Sequence, residues 1–348
     1  MNSPKPIACC VWLAAISGFQ PAALAGELTP PAGAPAPTMK SLQEVEPRTP
    51  ISDTTTLGDA DSEFRITTPG SYYLTGDILV AAGKRGIEVA TYGVTIDMNG
   101  FSITSLPNAL EGIRSMFSSN MMTVRNGRFI GPETVAIRAE ATATIEDVIV
   151  NGSSAITNGA FELYGPNSVV RRCTINEFRV TGIYCGNVNA VVEDCIVTTS
   201  VDGVEGSNWG IFLSGDRSVM RRCVIRVIPG VDAFQTGSAE GPVVVEDNIV
   251  EGGSLRFFMP GVIRNNSVSH ATFRGIETSQ SSGGGSVIEG NVLSFCNVGI
   301  AASSNVGWKD IVVGNRFIGC TTAITGSADV APMGTAAAST NSNANIVN

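Results

Sequence analysis

The sequence predicts an all-β fold, a right-handed parallel β-helix solenoid of about ten coils, each of roughly 24 residues and three short strands. Three observations predict it: a column of charges that alternates in sign, apolar residues at fixed offsets from each charge, and a Gly-Ile or similar pair that opens each coil. The right-handed sense is expected because parallel crossover connections are nearly always right-handed.

The charge column consists of nine positions with a mean spacing of 24 residues. The positions are Asp97, Arg125, Glu146, Arg171, Glu193, Arg221, Glu246, Arg264 and Glu289. In a stack of coils each residue lies on its counterpart in the next coil, so opposite charges pair and like charges would repel. We interpret the column as fixing register, because an exposed ion pair contributes only about 0.2–1 kcal/mol.

Three further columns support the same repeat. Apolar residues lie one position before and four positions after each charge. Two positions after each charge come Asn99, Gly127, Val148, Cys173, Cys195, Cys223, Asn248, Asn266 and Asn291. Because the position after the charge is often charged as well, a bend is needed there, and the Asn column is predicted to supply it, since Asn tolerates left-handed backbone and stacks its amides.

The chain ends predict export and capping. Lys5, an apolar stretch at 7–19 and Ala23-Leu24-Ala25 are typical of a signal peptide, residues 1–25, cleaved near Ala25. The mature protein is then expected to be secreted, periplasmic or on the cell surface, and no other stretch is long and apolar enough to span a membrane. The net charge of −9 argues against a nucleic-acid partner.

The rest of the chain divides into three parts. Residues 26–50 form a Pro-rich linker in which 38–46 can make a short helix that caps the core. Residues 51–326 form the β-helix domain, and the polar residues 327–348 are predicted to be a disordered tail. Cys296 and Cys320 occupy equivalent positions 24 residues apart; they could form a disulfide or serve as small apolar side chains.

Three segments resemble a known family. They are Thr68-Pro69-Gly70-Ser71-Tyr72-Tyr73-Leu74-Thr75-Gly76-Asp77-Ile78, Gly86-Ile87-Glu88-Val89 and Gly93-Val94-Thr95-Ile96-Asp97-Met98-Asn99-Gly100-Phe101. The chain resembles, over roughly residues 45–325, secreted bacterial right-handed parallel β-helix repeat proteins of the pectin-lyase-like superfamily. The resemblance implies the fold but no single activity, since the superfamily includes pectate lyases, polygalacturonases, phage tailspikes and proteins of no known activity. The sequence has no Asp-Asp, His-Gly or Arg-x-Lys, motifs that polygalacturonases carry.

The residue after each Gly-Ile opening is expected to point outward. That column is Glu88, Arg114, Arg138, Glu162, Tyr184, Phe212, Gln235, Phe258, Glu277 and Ala301. Its middle is aromatic, and a stack of exposed rings can hold sugar rings. We therefore predict a substrate-binding face of Tyr184, Trp209, Phe212, Gln235 and Phe258. The alternative is that these aromatic residues stack beneath a covering loop.

Carboxylates near this face are the catalytic candidates. The 28-residue interval from Cys195 to Cys223 inserts a loop, 202–209, just before the strand at Gly210. The candidates for a glycosidase acid, base or nucleophile are Asp202, Glu205, Asp232 and Glu277. The alternative is that they are solvated turn residues.

The sequence predicts no cofactor and no metal ligands. Calcium would have only Asp59-Ala60-Asp61-Ser62-Glu63, which lacks the Gly and distal Glu of an EF-hand and is better read as a capping turn. His270, the only histidine, is a turn residue or a catalytic base.

These patterns give two hypotheses about function. In the first, the protein binds, and as a polysaccharide lyase or glycoside hydrolase also cleaves, an extracellular polysaccharide on one exposed strand face. In the second, it is a non-catalytic structural or adhesion module. The sequence leaves the glycan and the oligomeric state open.

Overall fold

The computed structural model describes residues 48–117, 121–131, 134–152, 159–200, 208–237, 241–279, 284–303, 309–326, 328–330, 333–334 and 344–348. The chain divides into two compact units, and all of these residues belong to the second, Glu46–Asn348. They form two β-sheets, each made of parallel strands, which we call sheet 1 and sheet 2. The described ranges contain no helix, and so none that is long and apolar enough to cross a membrane.

Sheet 1 has one strand per coil. Its strands are Ser62–Ile66, Arg85–Val89, Ile113–Ser115, Ile137–Ala139, Gly159–Leu163, Thr181–Cys185, Trp209–Leu213, Asp232–Thr236, Leu255–Phe257, Arg274–Thr278, Val298–Ala301 and Thr322–Thr325.

Sheet 2 contains the two strand series that follow in each coil. Its strands are Thr49–Ile51, Gly70–Leu74, Ile78–Val80, Val94–Asp97, Ser102–Ser105, Met122–Ile130, Ala143–Asn151, Val169–Arg171, Thr174–Asn176, Val191–Glu193, Ile196–Thr198, Val219–Arg221, Val224–Arg226, Val243–Glu246, Ile249–Glu251, Gly261–Arg264, Ser267–Ser269, Val287–Glu289, Val292–Ser294, Asp310–Val313, Arg316–Ile318, Ala328–Val330, Met333–Gly334 and Asn345–Val347.

The right-handed parallel β-helix predicted from the sequence is confirmed. The strands pair in parallel, and all nine ladder charges lie in register with the next, from Asp97 on Arg125 to Arg264 on Glu289. The arginines reach back to the carboxylate one coil earlier, at 3.2 Å for Arg125–Asp97, 2.6 Å for Arg171–Glu146, 2.7 Å for Arg221–Glu193 and 2.6 Å for Arg264–Glu246.

The bend after the ladder has a different cause from the one predicted. In most coils the left-handed residue is the one directly after the ladder charge, such as Asp147 at φ 55° and Arg172 at φ 52°. The Asn column lies one position further on. Asn99, its exposed first member, has left-handed backbone at φ 53° as predicted, whereas the later members are buried in the core. Its amides bond from coil to coil along Asn248, Asn266, Asn291, Asn315 and Asn345, at 2.9–3.2 Å. The predicted amide stacking is confirmed, whereas the assignment of the bend to Asn is wrong for these residues.

The core is a set of apolar columns along the stack. In sheet 1 the inward column runs through Ile87, Ile113, Ile137, Phe161, Ile183, Ile211, Phe234, Leu255, Ile276 and Ile300, all fully buried. Burying one such side chain contributes about 1.5–3 kcal/mol, more than an exposed ion pair, so apolar stacking is the main source of stability.

The C-terminal residues correct the predicted tail. Instead of a disordered segment over 327–348, Ala328–Val330 and Asn345–Val347 are strands of sheet 2. The reason is that Asn345 is fully buried as the last member of the Asn column, and the strand that it begins pairs with Arg316 and Phe317. The predicted signal peptide and capping helix lie outside the described residues.

The six cysteines within the described ranges are unbonded in this structure. Cys173, Cys195 and Cys223 lie in the inward column that the Asn residues continue. At the junction the backbone N–H of Cys223 donates to the Asn248 side-chain oxygen at 2.9 Å. Cys296 is buried, and burial raises the pKa of its thiol to about 11. Cys296 and Cys320 thus serve here as small apolar side chains.

Candidate functional site

A cavity of about 340 Å³ opens on the outer face of sheet 1, where the coils change length. The coil between Glu246 and Arg264 has only 18 residues, against a mean of 24. It reaches sheet 1 through Gly252-Gly253, and its strand, Leu255–Phe257, has only three residues. The coils before and after this one are longer. The short coil therefore forms the floor of the cavity.

Gly253 keeps that floor low. A Cβ at this position would lie 2.6 Å from the carbonyl oxygen of Val231 and 2.7 Å from the backbone nitrogen of Ala233. Both are main-chain atoms that cannot move aside easily, so any larger residue would displace the backbone.

The outward column of sheet 1 passes through the cavity. In register it runs Arg65, Glu88, Arg114, Arg138, Glu162, Tyr184, Phe212, Gln235, Arg256, Glu277, Ala301 and Thr325. Arg256, and not Phe258, therefore occupies the position between Gln235 and Glu277. The prediction for Phe258 is wrong in register because the short coil lacks a Gly-Ile pair and places Leu255 inward. Phe258 follows the strand, and the Arg256 guanidinium lies 5.1 Å from its ring centroid.

An aromatic strip leads up to the cavity. Tyr164, Tyr184, Phe212 and Trp209 follow one another with ring centroids 5.4, 5.3 and 4.7 Å apart. The Tyr184 and Phe212 rings are parallel to within 10°, as expected for neighbours on adjacent coils. All four side chains are half-buried, so part of each remains open to solvent.

Polar groups line the cavity beyond the strip. The Trp209 indole N–H donates to the Gln235 side-chain oxygen at 2.8 Å. Arg256 lies between two carboxylates, 3.4 Å from Asp232 and 3.5 Å from Glu277. Arg274 forms a second ion pair with Glu277.

Asp232 and Glu277 have different surroundings. Burial raises the pKa of Asp232, Arg256 opposes the shift, and the Glu277 charge adds to it. Glu277 is 8% exposed and contacts both arginines. A carboxyl whose pKa is raised, close to a second carboxylate, is an arrangement suited to proton donation.

The structure brings together four of the nine predicted site residues. Trp209, Asp232, Gln235 and Glu277 line the cavity. Tyr184 and Phe212 lie beside it in the strip, and Phe258 lies next to Arg256. Asp202 and Glu205 lie outside the described residues. The roles predicted for all nine remain predictions.

Sequence reasoning missed three charged or aromatic residues of the cavity lining: Arg256, Arg274 and Phe273. Phe273 lines the cavity and is 69% exposed. The signal that could have located them is the 18-residue interval, since the shortest coil in a stack leaves a depression between its neighbours.

On the first coils of sheet 1, ion pairs cover the outer face. Glu111 contacts Arg85 and Arg114, and Arg138 contacts Glu140 and, at 3.3 Å, Glu162. These charges are satisfied by one another, so the open part of the face begins at the aromatic strip.

The remaining candidates lie elsewhere. His270 has left-handed backbone at φ 57°, stacks on Phe295 with centroids 5.3 Å apart, and borders a different cavity with Glu177 and Arg226. Asp59 accepts hydrogen bonds from the backbone of Asp61 and from Ser62, as a capping turn does. Across the described ranges, no three His, Cys, Asp or Glu side chains converge as metal ligands would.

The fold and this face define a parallel β-helix protein with an aromatic strip that ends in a charged cavity. No protein-family profile matches the sequence, and no curated protein matches it. Among solved structures, the chain is similar to the crystal structure of pectate lyase Pel9A, with 13% identity and a TM-score of 0.42 over 75% of this chain and 68% of that one.

Proposed function

We propose that the protein binds an extracellular or periplasmic polysaccharide along the outer face of sheet 1. One sugar occupies the 340 Å³ cavity against Trp209, and the glycan continues over Phe212, Tyr184 and Tyr164. The observation that carries the proposal is the continuity of this aromatic strip with the cavity. Exposed rings at successive coils offer apolar faces to the C–H groups of successive sugars, and the cavity offers donors and acceptors to hydroxyl groups.

The charge of the cavity indicates the kind of glycan. Among the described residues, Asp232 and Glu277 balance Arg256 and Arg274, so this part of the site presents no uncompensated charge. A neutral or weakly acidic glycan therefore fits better than a densely anionic one, which the net charge of −9 would also repel.

Cleavage is a second candidate activity, and the raised pKa of Asp232 favours it. Asp232 and Glu277 are two coils apart, about 10 Å along the stack at the backbone. Both reach toward Arg256, which brings their carboxyl groups closer together. Inverting glycosidases hold their carboxyl groups about 6.5–9.5 Å apart. In that mechanism Asp232 protonates the leaving oxygen and Glu277 activates water.

Affinity electrophoresis through gels containing xylan, glucan, pectin or alginate tests binding. Trp209→Ala and Phe212→Ala should each abolish retardation by the glycan that retards the parent protein. Tyr92→Ala is the matched control, because Tyr92 is 65% exposed and lies outside the site. Retardation that both site variants retain would refute the proposal and favour a structural or adhesion module.

An activity screen tests cleavage on the same glycans. New reducing ends that Asp232→Asn abolishes would support hydrolysis. Products that absorb as unsaturated sugars would instead indicate a lyase. Binding without products would leave a binding protein and exclude the second candidate for those glycans.

A further inference from the structure

The outer face of sheet 2 carries a column of β-branched apolar residues, two positions before the charge ladder. The column runs Val169, Val191, Val219, Val244, Val262, Val287 and Ile311, and Thr95, Thr123 and Thr144 precede it. The six valines are half-buried by their neighbours in the column, and Ile311 is 50% exposed. We call these seven residues the valine stripe.

The valine stripe and the charge ladder share one flat face. On each strand they are two residues apart, as Val219 and Arg221 are, so both side chains point outward. The face thus consists of an apolar line beside a line of charges that alternate in sign. Because the ladder charges alternate in sign, this face lacks the repulsion between two copies that the net charge of −9 would otherwise cause.

The pattern is self-complementary under one symmetry operation. A two-fold axis that lies in the interface and runs along the strands reverses the stack direction but keeps each column opposite itself. The valine stripe then faces the partner's stripe, and the ladder faces the partner's ladder in antiparallel order. Because the ladder alternates, an axis between two coils brings opposite charges together throughout, whereas an axis on a coil brings like charges together.

One position of the axis uses most of the stripe. Placed between the coils of Arg221 and Glu246, it sets Arg221 opposite the partner's Glu246 and Glu193 opposite the partner's Arg264. Arg171 then faces the partner's Glu289, and six of the seven stripe residues face one another. Val219 and Val244 lie at the centre.

We propose that this face of sheet 2 is an interface with a second copy of the chain, which packs against it antiparallel about that axis. The six facing coils extend over about 29 Å, and the face is one short strand wide, so the contact belongs to the small, weak class of interfaces. The dimer is therefore concentration-dependent. It leaves sheet 1 of both copies uncovered, so two glycan-binding faces can act together.

Sedimentation velocity over a concentration series tests the interface. The parent protein should pass from monomer to dimer, and Val219→Lys, at the centre, should weaken the dimer at least tenfold. Thr95→Lys is the matched control, because Thr95 lies in the same column and is half-buried but falls outside the six coils. It should dimerise as the parent does.

A charge reversal tests the register. Arg221→Glu places like charges at the centre and should weaken the dimer, while Arg125→Glu, outside the six coils whose ladder charges face one another, should not. Circular dichroism verifies that each variant is folded. A parent that stays monomeric, or a Val219→Lys variant that dimerises like the parent, would overturn the proposal. Equal effects of Arg221→Glu and Arg125→Glu would overturn the proposed axis.

Discussion

The Trp209 indole N–H donates to the side-chain oxygen of Gln235 on the next coil, at 2.8 Å. This hydrogen bond holds the Trp209 ring in place, and that ring lies where the aromatic strip meets the polar cavity. A ring that is already held in place loses less conformational freedom when a sugar packs on it, which strengthens binding.

Gln235→Leu should therefore weaken glycan binding and leave the fold intact. The substitution keeps the side-chain size but removes the acceptor, and one neutral hydrogen bond contributes about 1 kcal/mol, or about fivefold in affinity. Isothermal titration calorimetry with the retained glycan measures this. An affinity equal to that of the parent would show that the bond does not position the ring.

The fold could be predicted from sequence to the level of individual coils, but the site only in part. The ladder and the Gly-Ile pairs repeat, and a repeat in a stack determines which residues are neighbours, as it did for Arg171 and Glu193. The cavity arises where the repeat is broken. The sequence predicts a site at the loop before Gly210, in the longest central coil, whereas the depression lies at Gly253, in the shortest coil. The depression depends on the lengths of the neighbouring coils, which the repeat pattern alone does not describe.

Two further errors of the sequence analysis concern Arg256 and Asn345. Arg256 takes its position in the outward column only because Leu255 replaces the missing Gly-Ile pair. Asn345 is core although the sequence around it is polar, because an amide can be satisfied by the next amide of the column as well as by water.

Gly253→Ala should reduce both stability and glycan binding. The new Cβ would lie within 2.7 Å of main-chain atoms, and relief of such overpacking costs about 1–3 kcal/mol. Gly76→Ala is the control, because a Cβ there has no neighbour within 4 Å. Urea unfolding measures both variants, and an equal effect at the two positions would contradict the prediction.

The gain in the free energy of unfolding from Asp232→Asn should increase with pH. Since burial raises the pKa of Asp232, the unfolded chain releases this proton at lower pH than the folded protein, so the folded parent loses stability as the pH rises through that range. Asn does not titrate. The free energy of unfolding of the variant minus that of the parent should therefore be larger at pH 7 than at pH 3. A smaller difference at pH 7 would mean that the Arg256 ion pair outweighs the cost of burial.

Asn291→Leu should destabilise the fold by roughly 2–4 kcal/mol. It removes the side-chain oxygen that accepts from the backbone N–H and the side-chain amide of Asn266, and it removes the side-chain donor to the Asn315 oxygen, which keeps only the backbone N–H of residue 291. Each buried unsatisfied group costs about 1–3 kcal/mol. Asn176→Leu, which breaks an exposed amide contact with Asn151 and a hydrogen bond from the Thr198 hydroxyl, should cost much less. Thermal and urea unfolding distinguish the two, and similar losses would contradict a structural role for the buried Asn column.

Arg171→Ala should cost less than about 1 kcal/mol, because the Arg171–Glu146 pair is exposed on the arginine side. The loss should shrink further in 1 M salt, where exposed pairs are screened. Urea unfolding at low and high salt measures both effects. A loss of several kcal/mol that salt does not change would mean that the ladder supplies stability and not only register.

The most direct test of glycan binding uses Trp209 as its own reporter. The chain has three tryptophans, so Trp12→Phe together with Trp308→Phe leaves Trp209 as the only one. Titration of this variant with soluble xylan, glucan, pectin and alginate oligosaccharides should give a saturable change in fluorescence for one glycan class, abolished by Phe212→Ala. If no glycan in the panel changes the emission of Trp209, the face formed by Trp209, Phe212 and Tyr184 does not bind these polysaccharides, and the central claim is contradicted.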